Sequence, residues 1–319
     1  MPTGERMHAS QWGLIDARGR FVLEPQFPFL GFYYEGLLNA KTPSGWTYVD
    51  LDGRPAFNQA FDSIREFSEG LAAVEQDGKY GYINHQGELT IPFRFYYACS
   101  FQEGLALVRE EEDGLVGFID HAGNYVVAPQ LRSAEHFSCG RAVVREGVRN
   151  FYFIDQSGKR IATDRHLRVE TYAEGLAFVH SQEKSGFVDL SGQLVIQSDD
   201  WSGWKFSEGL CRANRDGKHG YVDRSGRFVI PPSFDWGGLF SEGLTDVKIG
   251  DRYGFIDRSG HYVVEPQYDD ANAFREGLAL VRLDGKYRYI DRTGEQAFAA
   301  TFVNGHSFKN GFAAVCVEV

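Results

Sequence analysis

LAAVEQDGKYGYINHQGELTIP, residues 71–92, decides the fold. Three short runs rich in β-branched and aromatic residues are separated by two turn signals. Asp77-Gly78 is a two-residue hairpin turn in which glycine supplies the positive φ such a turn demands. Asn84-x-x-Gly87 is a second tight turn, with the polar side chain accepting local N–H groups and glycine closing it. The segment therefore reads as an antiparallel meander of three strands. A fourth short extended piece, of the kind seen in FDSIREF at 61–67, can precede each such meander.

Outward from this stretch the pattern repeats. The Asp-x-x-Gly turn recurs at Asp16, Asp50, Asn84, Asp120, Asp155, Asp189, Asp223, Asp257 and Asp291, in steps of 34, 34, 36, 35, 34, 34, 34 and 34 residues. Its glycine is present all nine times, from Gly19 to Gly294. A second signal, an aromatic followed three residues later by Gly and usually written F-x-E-G-L, recurs in register at Tyr33, Phe67, Phe101, Phe137, Tyr172, Phe206, Phe240, Phe274 and Phe308. Nine coincident matches at near-constant spacing define tandem repeats of about 34 residues. Residues 1–10 form a tail, and 11–319 a single array of nine units. The composition agrees: 26 Phe, 16 Tyr, 5 Trp and 37 Gly suit pleated, turn-rich sheet.

The segments Trp12-Gly13-Leu14-Ile15-Asp16, Tyr80-Gly81-Tyr82-Ile83 and Tyr253-Gly254-Phe255-Ile256-Asp257, with the recurrent F-S-E-G-L, resemble the bacterial WG (KWG) repeat over about residues 11–319. The naming tryptophan survives only at Trp12 and Trp46, and Thr47, Tyr152 and Arg288 replace the glycine, so the units are uneven. The resemblance implies repetitive β structure and often no assigned activity.

Strands such as Gly104-Leu-Ala-Leu-Val108 are apolar on both faces, which suits sheets packed on each side by the next repeat. Two all-β architectures satisfy this, a propeller-like ring and an open β-superhelix. The ring is preferred because the chain opens on a GLID strand lacking its upstream partner and ends on FAAVCVEV lacking its downstream one. Pairing the two removes both exposed edges. Nine units exceed the usual four to eight blades, which keeps the superhelix open as the alternative.

No motif carries chemistry. There is no G-x-S-x-G, P-loop, H-E-x-x-H or G-x-G-x-x-G. The nine histidines lack metal-ligand spacing, and the near pair His121 and His136 reads as ordinary loop residues. The repeated aspartates and the glutamates Glu35, Glu69, Glu103, Glu174, Glu208, Glu242 and Glu276 read as turn residues. The expectation is a protein that is not an enzyme, with no cofactor and no metal. A net charge of −11 argues against a general nucleic-acid binder. The first sixteen residues lack an apolar leader core and no run of 18 apolar residues occurs, so the expectation is a cytoplasmic protein without membrane contact. Cys99, Cys139, Cys211 and Cys316 are far apart and read as reduced thiols.

Departures from the repeat are more informative than its consensus, since the scaffold does not need them. In the 131–170 region Cys139 replaces the glutamate, and Arg132, Arg141, Arg145, Arg149, Lys159, Arg160, Arg165 and Arg168 make a basic stretch in an acidic chain. Trp201, Trp204 and Trp236 precede two of the F-x-E-G signals, at one end of neighbouring units. Trp201, Trp204, Trp236, Arg141, Arg145, Arg149, Arg160, Arg165 and Arg168 are thus the candidate binding residues. The expected function is a scaffold for a protein partner, in one form an immunity or adaptor protein. A carbohydrate- or small-molecule-binding module is the alternative, because aromatic-rich β arrays can present stacking platforms.

Overall fold

The computed structural model describes residues 10–161, 168–181 and 184–319. Arg165, one of the candidate binding residues, lies outside them. Among the described residues every regular element is a strand, and the strands form nine antiparallel sheets arranged as the blades of a propeller. Blades 1 to 9 begin at Phe29, Ser63, Tyr97, Ser133, Arg168, Ser202, Trp236, Asp270 and Asn304.

Blade 2 shows the local logic. The short strand Ser63–Ile64 pairs with Ala72–Gln76, which pairs with Lys79–Ile83, which pairs with Leu89–Phe95. Asp77 and Gly78 both take positive φ, 51° and 75°, as the two-residue hairpin requires. The second turn closes with the Gly87 N–H donating to the Asn84 carbonyl at 2.9 Å. In blades 1, 4 and 8 isolated bridges such as Trp46 with Phe61, Ile154 with Arg160 and Tyr287 with Phe302 stand in for the fourth strand.

Proline ordinarily ends strand pairing, yet here it lies inside the fourth strand. Leu89–Phe95 runs through Pro92, and its pairing slips from Tyr82 with Ile91 to Tyr80 with Phe95. This bulge sits on the outermost strand, where one edge is unpaired and proline's missing N–H costs no ladder bond. The same bulge explains the in-strand glycine. A Cβ on Gly81 would lie 2.7 Å from the Ile91 carbonyl oxygen and 3.0 Å from the Phe93 nitrogen, so only glycine lets the bulged backbone approach.

The ring is closed by the chain ends. Blade 9 joins Asn304–Gly305 and Phe312–Glu318 to Ser10–Asp16 and Phe21–Phe27. Pairing is continuous from Ser10 with Glu318 to Asp16 with Phe312. The ring is therefore the architecture, and the superhelix alternative falls.

Blades converge at their first strands. Glu135 of blade 4 feels the charge of Lys205 two blades ahead, and His136 feels Arg65 two blades behind. The fourth strands form the rim, exposing alternate residues such as Val22, Val126, Val195 and Val229. The core is a series of clusters between adjacent blades. Leu71, Ala73 and Tyr82 of blade 2 pack on Ala98, Phe101, Ala106 and Val108 of blade 3. Each buried tyrosine also needs a partner for its hydroxyl. Tyr82 donates to the Cys99 carbonyl at 2.8 Å, and Tyr48, Tyr221 and Tyr289 reach the equivalent carbonyl just past the first strand of their next blades.

Candidate binding site

The polar consensus residues are engaged in building the ring. Oδ1 of Asp189 accepts the N–H groups of Ser191 and Gln193 at 2.9 and 3.0 Å, and the Ser191 hydroxyl at 2.6 Å. That hydroxyl first, then the N–H donors, hold its carboxyl below the ordinary range, and Asp223 is held the same way by Ser225 and Arg227. The aspartates are turn residues, as expected.

The glutamates do something local turn chemistry did not anticipate. Their backbone takes the left-handed conformation, at φ 55° for Glu69 and 54° for Glu208, while the carboxylate reaches the next blade. Glu208 accepts the Glu242 and Gly243 N–H groups at 2.6 and 2.9 Å, and Glu242 accepts that of Gly277 at 2.9 Å. Equivalent bonds join Glu35 to Gly70, Glu69 to Gly104, Glu103 to Gly140, Glu174 to Gly209 and Glu276 to Gly311. A residue of the next blade's Asp-x-x-Gly turn caps several of these carboxylates: His121 lies 3.2 Å from Glu69, and Arg224 2.8 Å from Glu174. Charge-assisted bonds of this kind are stronger than neutral ones, and here they join seven of the nine blade junctions; at the junction of blades 9 and 1 Asn310 stands at the glutamate position and donates to the Tyr33 carbonyl.

The junction between blades 4 and 5 lacks this clasp. Cys139 occupies the glutamate position at φ 54°, and the Arg141 guanidinium reaches across instead, donating to the Leu190 carbonyl at 2.9 Å. A cleft of about 620 Å³ opens here, lined by Glu135, His136, Cys139, Thr171 and Lys205 among others. Glu135 has accessible surface yet stands deep among converging strands, and that crowding raises its carboxyl pKa.

The candidate tryptophans separate. Trp201 is buried, packed among Phe178, Phe187 and Phe228. Trp204 and Trp236 are half-buried and flank one guanidinium: Arg212 Cζ lies 4.0 Å from the Trp204 ring centre and 5.6 Å from that of Trp236. Arg212 Nη1 donates to the Gly237 carbonyl at 2.6 Å. Among the described residues no carboxylate forms an ion pair with Arg212. Burial lowers its pKa, while the more distant charges of Asp246 and Glu170 act to raise it.

Trp204, Arg212, Asn214 and His219 line a cleft of about 350 Å³ with Ser202, Gly203 and Arg168. Arg168 is anchored to Glu170 at 2.8 Å. His219 Nδ1 is buried without a hydrogen-bond partner among the described residues, and burial followed by the Arg212 charge lowers its pKa. The described lining is thus two guanidiniums, an imidazole, an amide, a hydroxyl and an indole, with no carboxylate among the described residues. An adjoining recess of about 490 Å³ shares Arg168, Ser202 and Asn214 and adds Asp199, Asp200 and Asp216.

Arg212 and His219 were not among the candidates from sequence. The signal was there once the repeats are superposed. The third residue after the F-x-E-G glycine is Ala73, Leu107, Val143, Phe178, Leu280 or Ala314 in six units, facing the next blade, and Arg212 in blade 6. Asp246 in blade 7 and Asn39 in blade 1 are the other polar departures at this position.

The remaining arginines do not form one patch. Strand Arg141–Gly147 puts Arg141 at one end, beside the clasps, and Arg145 toward the other, where Arg149 lies in the exposed turn. Arg160 stacks on Tyr152 at 4.1 Å on the outer edge of blade 4. Among the described basic candidates Arg168 alone joins the tryptophans, meeting Trp204 in one cleft and Trp201 in the adjoining recess. Among the described residues no three or more His, Cys, Asp or Glu gather in a way that could hold a metal ion. None of the described residues form a helix long and apolar enough to cross a membrane.

Comparison with known proteins fits this geometry. The model of the WG containing repeat matches residues 12–42, 46–80, 80–112, 117–147, 220–253, 253–287 and 287–318. The stretch between the fourth and fifth matches, 148–219, holds Arg168, Trp204, Arg212 and His219. No curated protein matches the chain in sequence. A solved structure of the eukaryotic initiation factor aligns with TM-score 0.62 at 16% identity, over 96% of this chain and 98% of that one. BamB from Moraxella catarrhalis aligns with TM-score 0.48 at 10% identity, over 91% and 96%. Virginiamycin B lyase from Staphylococcus aureus aligns with TM-score 0.37 at 10% identity, over 80% and 94%. At these identities the likeness concerns the fold alone.

Proposed function

The chain belongs to the WG-containing repeat family, and from that premise we propose that it is a non-enzymatic scaffold binding a protein partner at the inner ends of blades 5 to 7. One observation carries the reading. The consensus aspartates and glutamates are engaged within turns and between blades, whereas Trp204, Arg212 and His219 gather in an open cleft and include a guanidinium with no ion pair among the described residues. Aromatic and arginine side chains held rigidly at a recessed surface are the residue types that anchor protein interfaces. An adaptor or immunity protein is the concrete form. A glycan-binding reading is favoured by the same half-buried Trp204 indole beside Asn214 and His219, a stacking platform with polar groups at its edge.

Site-directed crosslinking tests the scaffold reading. Benzoylphenylalanine replaces Ser202, which lines the cleft, or Lys159, which lies on the exposed edge of blade 4. In a lysate of the source cells we expect one stoichiometric polypeptide adduct from position 202 and none from 159. Equal adducts from both positions sink the assignment. No adduct at 202, with a thermal shift on addition of oligosaccharide, replaces it with the glycan reading.

A further inference from the structure

We infer that the Trp204–Arg212 cleft recognises a single carboxylate of a polypeptide partner, set beside a basic residue. This rests on the scaffold reading and names the chemistry of its partner. Arg212 is the centre of the argument. Its guanidinium lies over one indole and near a second and donates through Nη1 to a backbone carbonyl. A planar cation fixed on three sides has lost little freedom still to be lost on binding, so it is preorganised for a carboxylate.

Its neighbours extend the match. Arg168, Ser202, Asn214 and His219 supply further donors, and among the described residues no acidic side chain lines the cleft. The adjoining recess has the opposite character, with Asp199, Asp200 and Asp216 beyond the shared Arg168 and Asn214. Arg215 neutralises Asp200 at 2.9 Å, whereas Asp199 bonds only to the neutral Gln197 amide and Asp216 has no ion pair among the described residues. A run of acidic residues would place one carboxylate well and the next against Asp199. An acidic residue next to a lysine or arginine meets a complementary charge in both places. The cationic cleft beside an acidic recess selects that pairing over a polyanion.

The test uses the full chain and three fluorescein-labelled Gly/Ser peptides carrying a central Glu-Lys pair, a Gln-Lys pair or four glutamates. Anisotropy is read up to about 1 mM peptide, where even a weak contact of a few kcal/mol registers. The Glu-Lys peptide is expected to bind at least about tenfold more tightly than either of the others, one decade being the step a lost charged contact of about 1.4 kcal/mol gives. Arg168→Gln, whose side chain is exposed, and Arg212→Gln should each remove at least about tenfold of that affinity. Should Arg212→Gln fail to fold by circular dichroism, Arg168→Gln and Trp204→Phe carry the comparison. Equal binding of the Gln-Lys peptide, preference for four glutamates, or unchanged affinity in the variants overturns the proposal. Absence of Glu-Lys binding does so too. If the peptide arm fails while position 202 still crosslinks a polypeptide, the carboxylate assignment falls and the scaffold reading stands. If the peptide binds but no polypeptide crosslinks, the scaffold reading falls and the carboxylate site stands.

Discussion

Asp246→Asn should stabilise the protein, and by an amount that depends on pH. Asp246 is 3% exposed, in the strand Leu244–Ile249 of blade 7. Burial is the main cause that drives its carboxyl up to about 7 from 3.8, and the Arg212 charge only partly opposes this. The sign follows from which state holds the proton. Below about pH 4 the carboxyl is protonated both folded and unfolded, and no penalty exists. Between about pH 4 and 7 the unfolded chain releases the proton while the folded chain keeps it, so stability falls as pH rises. Above about pH 7 both states are ionised and the loss is complete. A raised carboxyl of this size corresponds to about 4 kcal/mol, and at pH 5 less than about half of that has developed. At roughly 2 °C per kcal/mol for a chain of this size, Asn should raise Tm by about 8 °C at pH 8 and about 3 °C at pH 5. Differential scanning calorimetry at the two pH values reads this directly. An equal shift at both, or a lower Tm at pH 8, would refute the argument that burial keeps this carboxyl neutral.

Four further outcomes follow from the ring. Cys139→Glu places a carboxylate where it can accept the Gly175 N–H, in a backbone conformation glutamate already adopts in seven blades, and should add about 1 kcal/mol in urea denaturation; a lower midpoint denies the clasp. Glu69→Ala removes the acceptor for Gly104 and the partner of His121, and should cost about 1–3 kcal/mol by the same measurement, with an unchanged midpoint counting against it. Gly81→Ala sets a methyl 2.7 Å from the Ile91 carbonyl and should cost more than about 2 kcal/mol, where a loss below that would mean the bulge can relax. Deleting 312–319 removes the strand that closes blade 9 and bares the edge of Ser10–Asp16, so the product should self-associate in analytical ultracentrifugation; a stable monomer would mean that closure is dispensable.

The fold was legible because its signals are local and repeated. Asp-Gly and Asp-x-x-Gly each fix one turn within a few residues, and nine copies in register leave little freedom for the rest. Closure was legible from the two ends, which carry complementary fragments of one unit. The glutamate clasps were not, because in sequence Glu208 appears coupled to its neighbour Gly209. Its carboxylate instead binds Gly243, 35 positions on, which becomes adjacent only when blades stand side by side. The basic stretch misled for a related reason. A seven-residue strand such as Arg141–Gly147 is about 20 Å long, so arginines close in sequence are delivered to opposite ends of the blade.

The cleft shows the converse, a site assembled from residues that look unremarkable along the chain. Arg212 and Asp246 each replace an apolar residue at the same inter-blade position, one blade apart. An isolated charge there would be expensive, and the two share the cost differently. Asp246 is held toward its neutral form by burial, and its Oδ1 takes the space a side chain on Gly238 would fill. Arg212 stays charged and is tolerated because Trp204 and Trp236 lie against it and Gly237 accepts one of its protons. Ionising Asp246 would partly offset the guanidinium charge. Carboxylate affinity in the cleft should therefore rise as pH falls from 8 to 6. The Asp246→Asn variant should bind more tightly than the native chain at pH 8 and nearly equally at pH 6. A native affinity that is flat across this range, with the variant unchanged, would separate Asp246 from the cleft and leave its burial a matter of stability alone.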